Sequence, residues 1–407
     1  MGPTLRVLTF LHSFEPGGVE RVALRLVRRW REVGVEAPLF IGREQGLLRD
    51  ELAAGLDFAV AHPGSWSERL ETLWMIFKLP AEIRRVRPDL LFCAGNTYSV
   101  VVVLMKMLLR SKCPPIIAKI SNDLILPGLS PWARFWYGRW AWLQAQLIDG
   151  WVVMHPSMRG DVEATIGKVD LTVIPDPALT LAQLSLLERW QPRRDGTPGR
   201  RFVAMGRLVR QKNYPLMLDA FAAAARTDDR LTIFGDGPER AGLVARAIEL
   251  DLAGRVYFAG HVAESAEALL EHDILLLSSS YEGIPAALVE AMACGMPIVA
   301  TDCGDGVRGL LEGWSPARLV AGQEVAEFAA AIDEARHAGT DRPGQDFDAP
   351  SFTIEAGASA YLEAFTRIAR GVPGRAHPTL VGRNDDRPTM LQPALLAAPI
   401  GSDREVA

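Results

Sequence analysis

The chain has 407 residues, 49% of them hydrophobic and 23% charged, with a net charge of −5. That length exceeds one ordinary core and predicts two domains, and the mild acidity gives no reason to expect a nucleic-acid partner. Cys93, Cys113, Cys294 and Cys303 make no C-x-x-C pair, and no uninterrupted apolar run reaches the ~20 residues of a membrane span. Residues 100–109 are too short and include Lys106. The start runs straight into a strand without a basic-then-apolar leader, so the expectation is a cytoplasmic chain with reduced thiols.

In the first half, short apolar runs at 5–12, 36–41, 58–60, 89–94, 115–120, 150–154 and 171–174 read as strands, with helical stretches between them. Such alternation predicts a parallel sheet covered on both faces, with ligands beyond the carboxyl ends of its strands. Those ends carry His12, Asn96, Asn122, Asp123 and His155. The turn after the first strand holds Gly17 and Gly18 ahead of a helix over 19–33, a phosphate-friendly arrangement. Two helical stretches are rich in aromatic and basic residues. One, over 66–87, carries Trp74, Phe77, Lys78, Arg84, Arg85 and Arg87; the other, over 131–147, carries Trp132, Phe135, Trp136, Tyr137, Trp140 and Trp142 with Arg134 and Arg139. The favoured reading puts Trp132, Phe135, Trp136 and Trp140 in a buried stripe against the sheet; an interfacial helix on anionic lipid is the other.

Pro175-Asp-Pro177 opens a connection whose Pro-, Arg- and Gly-rich part, 191–200, is a linker by composition. Alternation then restarts, with strands expected at 202–205, 231–234, 256–258, 274–277, 298–300 and 318–320. Gly206 and Arg207 follow the first of these, with Lys212 and Asn213 close behind; an Arg–Lys pair at a strand end suits a diphosphate. Gly235 and Gly237 lie after the next strand and His261 after the third. The stretch 273–304 reads as strand, loop, helix, strand and loop. In it Glu282 lies in the loop, Pro285 at the expected first helical position, and Glu290 eight residues beyond Glu282. Eight helical residues rise about 12 Å, so the two carboxylates are placed to hold two parts of one long ligand rather than share a proton.

Glu282-Gly-Ile-Pro-Ala-Ala-Leu-Val-Glu290, continuing through Pro297-Ile-Val-Ala-Thr-Asp-Cys-Gly304, resembles the E-x7-E motif of retaining GT-B glycosyltransferases of family 4. Gly17-Gly18-Val19-Glu20 resembles that family's GG-x-E loop, and Gly206-Arg-Leu-Val-Arg-Gln-Lys-Asn213 its GR-L-x-x-x-KN element. Phe234-Gly-Asp-Gly-Pro and Phe258-Ala-Gly-His261 resemble further turns of the family, and Asp176 stands where the family's interdomain turn has Asn. The resemblance implies the GT-B fold, two Rossmann-like domains facing each other across a cleft. The boundaries expected are an acceptor-binding domain 1–176, a linker 177–200, a nucleotide-sugar domain 201–350, a crossover helix 351–370 and a disordered tail 371–407.

It further implies Arg207, Lys212 and Glu282 in catalysis. Gly17, Gly18, Gly206, Gly235, Gly237, His261, Gly283, Ile284, Pro285, Leu288 and Glu290 would bind the donor, a UDP- or GDP-sugar, without a cofactor or metal. Asn96, Asn122 and Asp123 are the acceptor-side candidates, since the His or Asp often found after the fourth strand is missing. The expected reaction is transfer of a hexose-type sugar, with retention, to a glycan or polyprenyl-diphosphate-linked acceptor in bacterial surface polysaccharide synthesis, with peripheral contact to the inner membrane. A sugar-nucleotide epimerase of the same fold and a non-catalytic nucleotide-sugar-binding protein are the alternatives.

Overall fold

The computed structural model describes residues 5–61, 71–124, 130–191, 199–315, 317–337 and 347–371. The expected tail beyond 371, residues 192–198 of the linker and the start of the stretch expected as a helix over 66–87 lie outside the described residues. Residues 1–374 form one compact unit that contains two parallel sheets.

The first sheet has seven strands: β1 (Val7–Leu11), β2 (Leu39–Ile41), β3 (Phe58–Val60), β4 (Leu90–Cys93), β5 (Ile116–Lys119), β6 (Gly150–Val153) and β7 (Leu171–Val173). Their order is β3-β2-β1-β4-β5-β6-β7. The second has six: β8 (Arg201–Met205), β9 (Arg230–Phe234), β10 (Val256–Gly260), β11 (Ile274–Leu277), β12 (Ile298–Thr301) and β13 (Ala317–Val320), in the order β10-β9-β8-β11-β12-β13. Strands such as Leu90–Cys93 and Ile298–Thr301 are buried along their whole length, which is why they read as unbroken apolar runs rather than alternating ones. In each sheet the chain steps one way from its first strand and then returns to build the other way. The reversals fall between β1 and β4 and between β8 and β11, and open sheets hold ligands at such points.

Right-handed crossovers place helices on opposite faces when the direction of strand addition reverses. Helix Gly18–Glu32 accordingly packs with the last helix, Ile354–Ala369, while Glu71–Val86, Ser99–Leu109 and Pro131–Leu147 lie side by side. The last helix completes the first domain's core. The Trp30 indole donates to the Ala358 carbonyl at 3.1 Å, its ring lies 5.2 Å from that of Phe365, and Phe92 packs against Tyr361 and Phe365. Arg367 adds a two-point contact to Asp170. Asp176 is buried in an ion pair with Lys119, which fixes the start of the interdomain connection to β5.

One sequence expectation is overturned here. Trp132, Phe135 and Trp136 are exposed rather than forming a buried stripe, and Trp140 is only half-buried. The helix turns a different stripe inward, Ala133, Tyr137, Ala141 and Ala145, on the i, i+4 spacing of one face, with Ala141 its one buried residue. Both stripes satisfy helical periodicity, and the small-residue face fits closer to the sheet.

Candidate active site

The reversal in the second sheet positions the strongest motif. After β8 the chain makes a tight loop at Gly206, whose φ of +152° suits glycine; its carbonyl accepts from the Tyr214 hydroxyl at 3.1 Å. Gly235 and Gly237 support this loop from behind. A Cβ on Gly235 would lie 1.9 Å from the Gly206 carbonyl oxygen, and one on Gly237 would lie 2.4 Å from that of Leu208. Both therefore set the loop carrying Arg207. The Arg207 side chain is exposed and meets no carboxylate among the described residues.

Lys212 is placed differently. Its ammonium donates to Glu282 Oε1 at 2.5 Å, and Ser279 Oγ donates to the same oxygen at 2.9 Å. Glu282, in the loop after β11, is buried, and its N–H donates to the Cys303 carbonyl after β12 at 2.8 Å. Two of the expected catalytic groups thus form one unit at the switch point, with Glu282 Oε2 unclaimed among the described residues. Pro285 is the N-cap of helix Ala286–Cys294 and not its first residue. Its extended ψ precedes the helical turn, where the sequence reading had placed it one position further in. Ile284 and Leu288 lie in the core beneath the loop.

Glu290 is buried within that helix and accepts from Ser265 Oγ at 2.6 Å. Burial pushes its carboxyl up to about 7, opposed by the Ser265 hydrogen bond and by Arg25 and Arg21 on the helix Gly18–Glu32. Those arginines, at i, i+4 spacing beside the glycine loop, were not singled out from the sequence; that spacing was the available signal. His261 Nε2 sits 2.7 Å from Glu51 Oε1, and Glu51 pairs with Arg21 at 3.2 Å, so this chain of polar contacts ties the two domains together.

On the first domain's side, Gly17 is the extended N-cap of Gly18–Glu32. A Cβ there would meet the Glu20 carboxylate, which in turn accepts from the Tyr98 hydroxyl at 2.6 Å. His12 stacks obliquely on Tyr98, 4.5 Å between centroids, and burial lowers its imidazole to about 4. Asn96 uses both ends of its amide to brace the neighbouring loop, receiving the Ser121 N–H at 2.9 Å and donating to the Asn122 carbonyl at 3.2 Å. Asp123 Oδ2 accepts the Asp305 N–H at 3.0 Å and so caps the helix Asp305–Leu311 of the opposite domain. Its Oδ1 is buried without a partner among the described residues, and burial pushes the carboxyl up to about 6. Gly283 completes the closure: a Cβ would lie 2.0 Å from the Ser121 carbonyl oxygen across the cleft. The expected residues thus gather at the facing strand ends, with Asn96 and Asp123 engaged in bracing and capping.

Both halves of the chain match glycosyltransferase families. A model described as "Glycosyltransferase Family 4" matches residues 16–177, and one described as "Glycosyl transferases group 1" matches 199–337. The amylovoran biosynthesis glycosyltransferase AmsD of Erwinia amylovora is 31% identical over 106 residues, 26% of this chain and 30% of that protein. The N-acetylgalactosamine-N,N'-diacetylbacillosaminyl-diphospho-undecaprenol 4-alpha-N-acetylgalactosaminyltransferase of Campylobacter jejuni is 32% identical over 108 residues, 26% of this chain and 29% of that one. The matched segment spans only about a third of the length of these curated relatives. The crystal structure of Anabaena HepE in complex with UDP-glucose superimposes with a TM-score of 0.65 at 19% identity, over 90% of this chain and 99% of that one. With glycosyltransferase models on both halves and two parallel sheets meeting at their carboxyl edges, the chain belongs to family 4 of the GT-B glycosyltransferases.

Proposed function

We propose that the chain transfers a hexose-type sugar from a UDP- or GDP-sugar to a hydroxyl of a glycan, with retention of anomeric configuration and without a metal ion. The observation that carries this reading is the cationic switch point of the second sheet: among the described residues Arg207 has no carboxylate partner, and it lies next to a Lys212–Glu282 unit with one carboxylate oxygen unclaimed by them. Arg207 stabilises the diphosphate as its negative charge develops, and Lys212 has two N–H donors beyond the one given to Glu282. Glu282 Oε2 accepts hydroxyls of the donor sugar, and Glu290 those of the ribose. Backbone N–H groups at Gly17 and Gly18 add donors from the opposite wall. As the acceptor oxygen bonds to the anomeric carbon, the bond from that carbon to the diphosphate oxygen breaks. A donor phosphate oxygen then takes the acceptor's proton, so no side-chain base is needed from Asn96, Asn122 or Asp123.

The acceptor we propose is an oligosaccharide or polyprenyl-diphosphate-linked glycan of surface polysaccharide synthesis, met at the cytoplasmic face of the membrane. Two relatives support this class by their names, one in amylovoran synthesis and one acting on a diphospho-undecaprenol glycan. HepE, crystallised with UDP-glucose, supports the donor class. The deciding experiment is a thermal-shift series with UDP, GDP and ADP, each with and without EDTA. Selective stabilisation by UDP or GDP that persists in EDTA is expected; no shift with any of the three overturns the donor site.

A further inference from the structure

The aromatic residues that fail to pack against the first sheet form one surface. On helix Pro131–Leu147, Trp132 is 74% exposed, Phe135 61% and Trp136 55%. The rings of Trp132 and Phe135 both stand edge-on to Trp136, at 6.1 and 5.5 Å, so they form a cluster rather than scattered contacts. The adjoining helices extend it with exposed Leu73 and Phe77 on Glu71–Val86 and Val100, Met107 and Leu108 on Ser99–Leu109. Single exposed apolar residues are ordinary; a cluster of three exposed aromatic rings on one helix, with further exposed apolar residues on the two helices beside it, marks an interaction site.

Charge identifies the partner. Across these helices and the adjoining turn Arg110–Lys112 there are eight lysines and arginines and two glutamates, in a chain whose net charge is −5. Both glutamates are engaged: Glu82 binds Arg85, and Glu71 lies against Arg43 and His12. Helix Pro131–Leu147 has no acidic residue, and Arg139 lies over the Trp142 ring at 5.1 Å. A second copy docked symmetrically would set two positive faces against each other, and an anionic bilayer has no such conflict. Tryptophan beside arginine matches the boundary between head groups and acyl chains.

We propose that this three-helix face docks on the surface of an anionic lipid bilayer. In a parallel sheet each crossover helix begins at the carboxyl edge of the strand before it, so Trp132, Phe135, Trp136, Leu73 and Phe77, on the early turns, lie towards the cleft. The Tyr137 hydroxyl donates to the Leu124 carbonyl at 2.7 Å, tying the helix to the loop that carries Asn122 and Asp123. Docking therefore holds the acceptor side of the cleft near head-group level. The use of this surface rests on the membrane-linked acceptor proposed above, but docking is measured without donor or acceptor and stands or falls apart from sugar transfer.

The test is co-sedimentation of the full chain with vesicles of phosphatidylcholine alone or mixed with phosphatidylglycerol. Wild type is expected to sediment with the anionic vesicles and to be released by salt. The combined Trp132→Ala, Phe135→Ala and Trp136→Ala variant is expected to stay in solution with its melting temperature unchanged. Removing Arg134 and Arg139 is expected to weaken binding by about fivefold per arginine. Quenching of wild-type tryptophan fluorescence by brominated phosphatidylglycerol gives a reading independent of how the variants fold. Wild type left in solution and unquenched overturns the proposal, as does an aromatic variant that binds like wild type. Dimers that the aromatic variant dissolves, without vesicle binding, assign the face to a second copy instead.

Discussion

At the end of β8, Arg207 meets no carboxylate among the described residues, whereas Lys212, five residues on, is already paired with Glu282. The two cations therefore differ in what their loss does. Arg207→Ala should leave folding intact and lower kcat/KM by about 10²–10³-fold, the usual cost of one preorganised donor to developing charge; near-normal turnover would remove Arg207 from the mechanism. Glu290 makes a prediction in pH. Its carboxyl ionises at about 7 in the folded chain against an ordinary value of 4.5. Its bound proton favours the folded state at low pH, and that contribution is lost as pH rises from 4.5 through 7, on the order of 3 kcal/mol in all. The melting temperature of wild type should fall relative to Glu290→Gln across this window, and parallel curves would refute the assignment. If ribose hydroxyls donate to Glu290, they favour its ionised form, so nucleotide affinity in wild type should weaken below about pH 7.

Among elements, the loops at the strand ends depend on glycines that keep backbones in contact. Gly235, at φ +139°, leaves no room for a Cβ against Gly206. Gly235→Ala should destabilise the second domain by on the order of 2 kcal/mol and weaken nucleotide binding with it, read by urea unfolding and titration; an unchanged midpoint would show that the loop gives way freely. The central strands were legible in the sequence because each sheet buries them on two faces, which leaves plain apolar runs bounded by glycine and polar turns. The loop from Gly206 to Lys212 and the stretch from Glu282 to Glu290 were legible because local spacing carries them. What could not be read was pairing across 70 residues or more, as in Lys212 with Glu282, Asp123 with the Asp305 N–H, and His261 with Glu51. Nor does periodicity say which of two helical stripes faces inward, so Trp132 and Trp136 were placed on the wrong side.

For the molecule as a whole, polar ties and close glycine contacts hold the two walls of the cleft together. Ser157 donates to the Asp305 carbonyl at 2.6 Å beside the Asp123 cap, and Gly283 lies against the Ser121 carbonyl. Gly283→Ala should leave each domain folded but wedge the two apart. We expect its kcat to fall by about 10²-fold, since a displacement near 1 Å costs that much, with little change in melting temperature. Small-angle scattering would show the added width, and unaltered kcat would mean that the closed form is not the reactive one.

The return of the last helix to the first domain has a consequence for how the protein is made. Trp30 and Phe92 find their covering rings in Tyr361 and Phe365, which leave the ribosome only after the entire second domain. At ordinary elongation rates the first sheet waits about 10–40 s with that face bare. The nascent first domain is therefore a natural client for a chaperone, and its burial becomes complete only when the second domain's chain has been delivered.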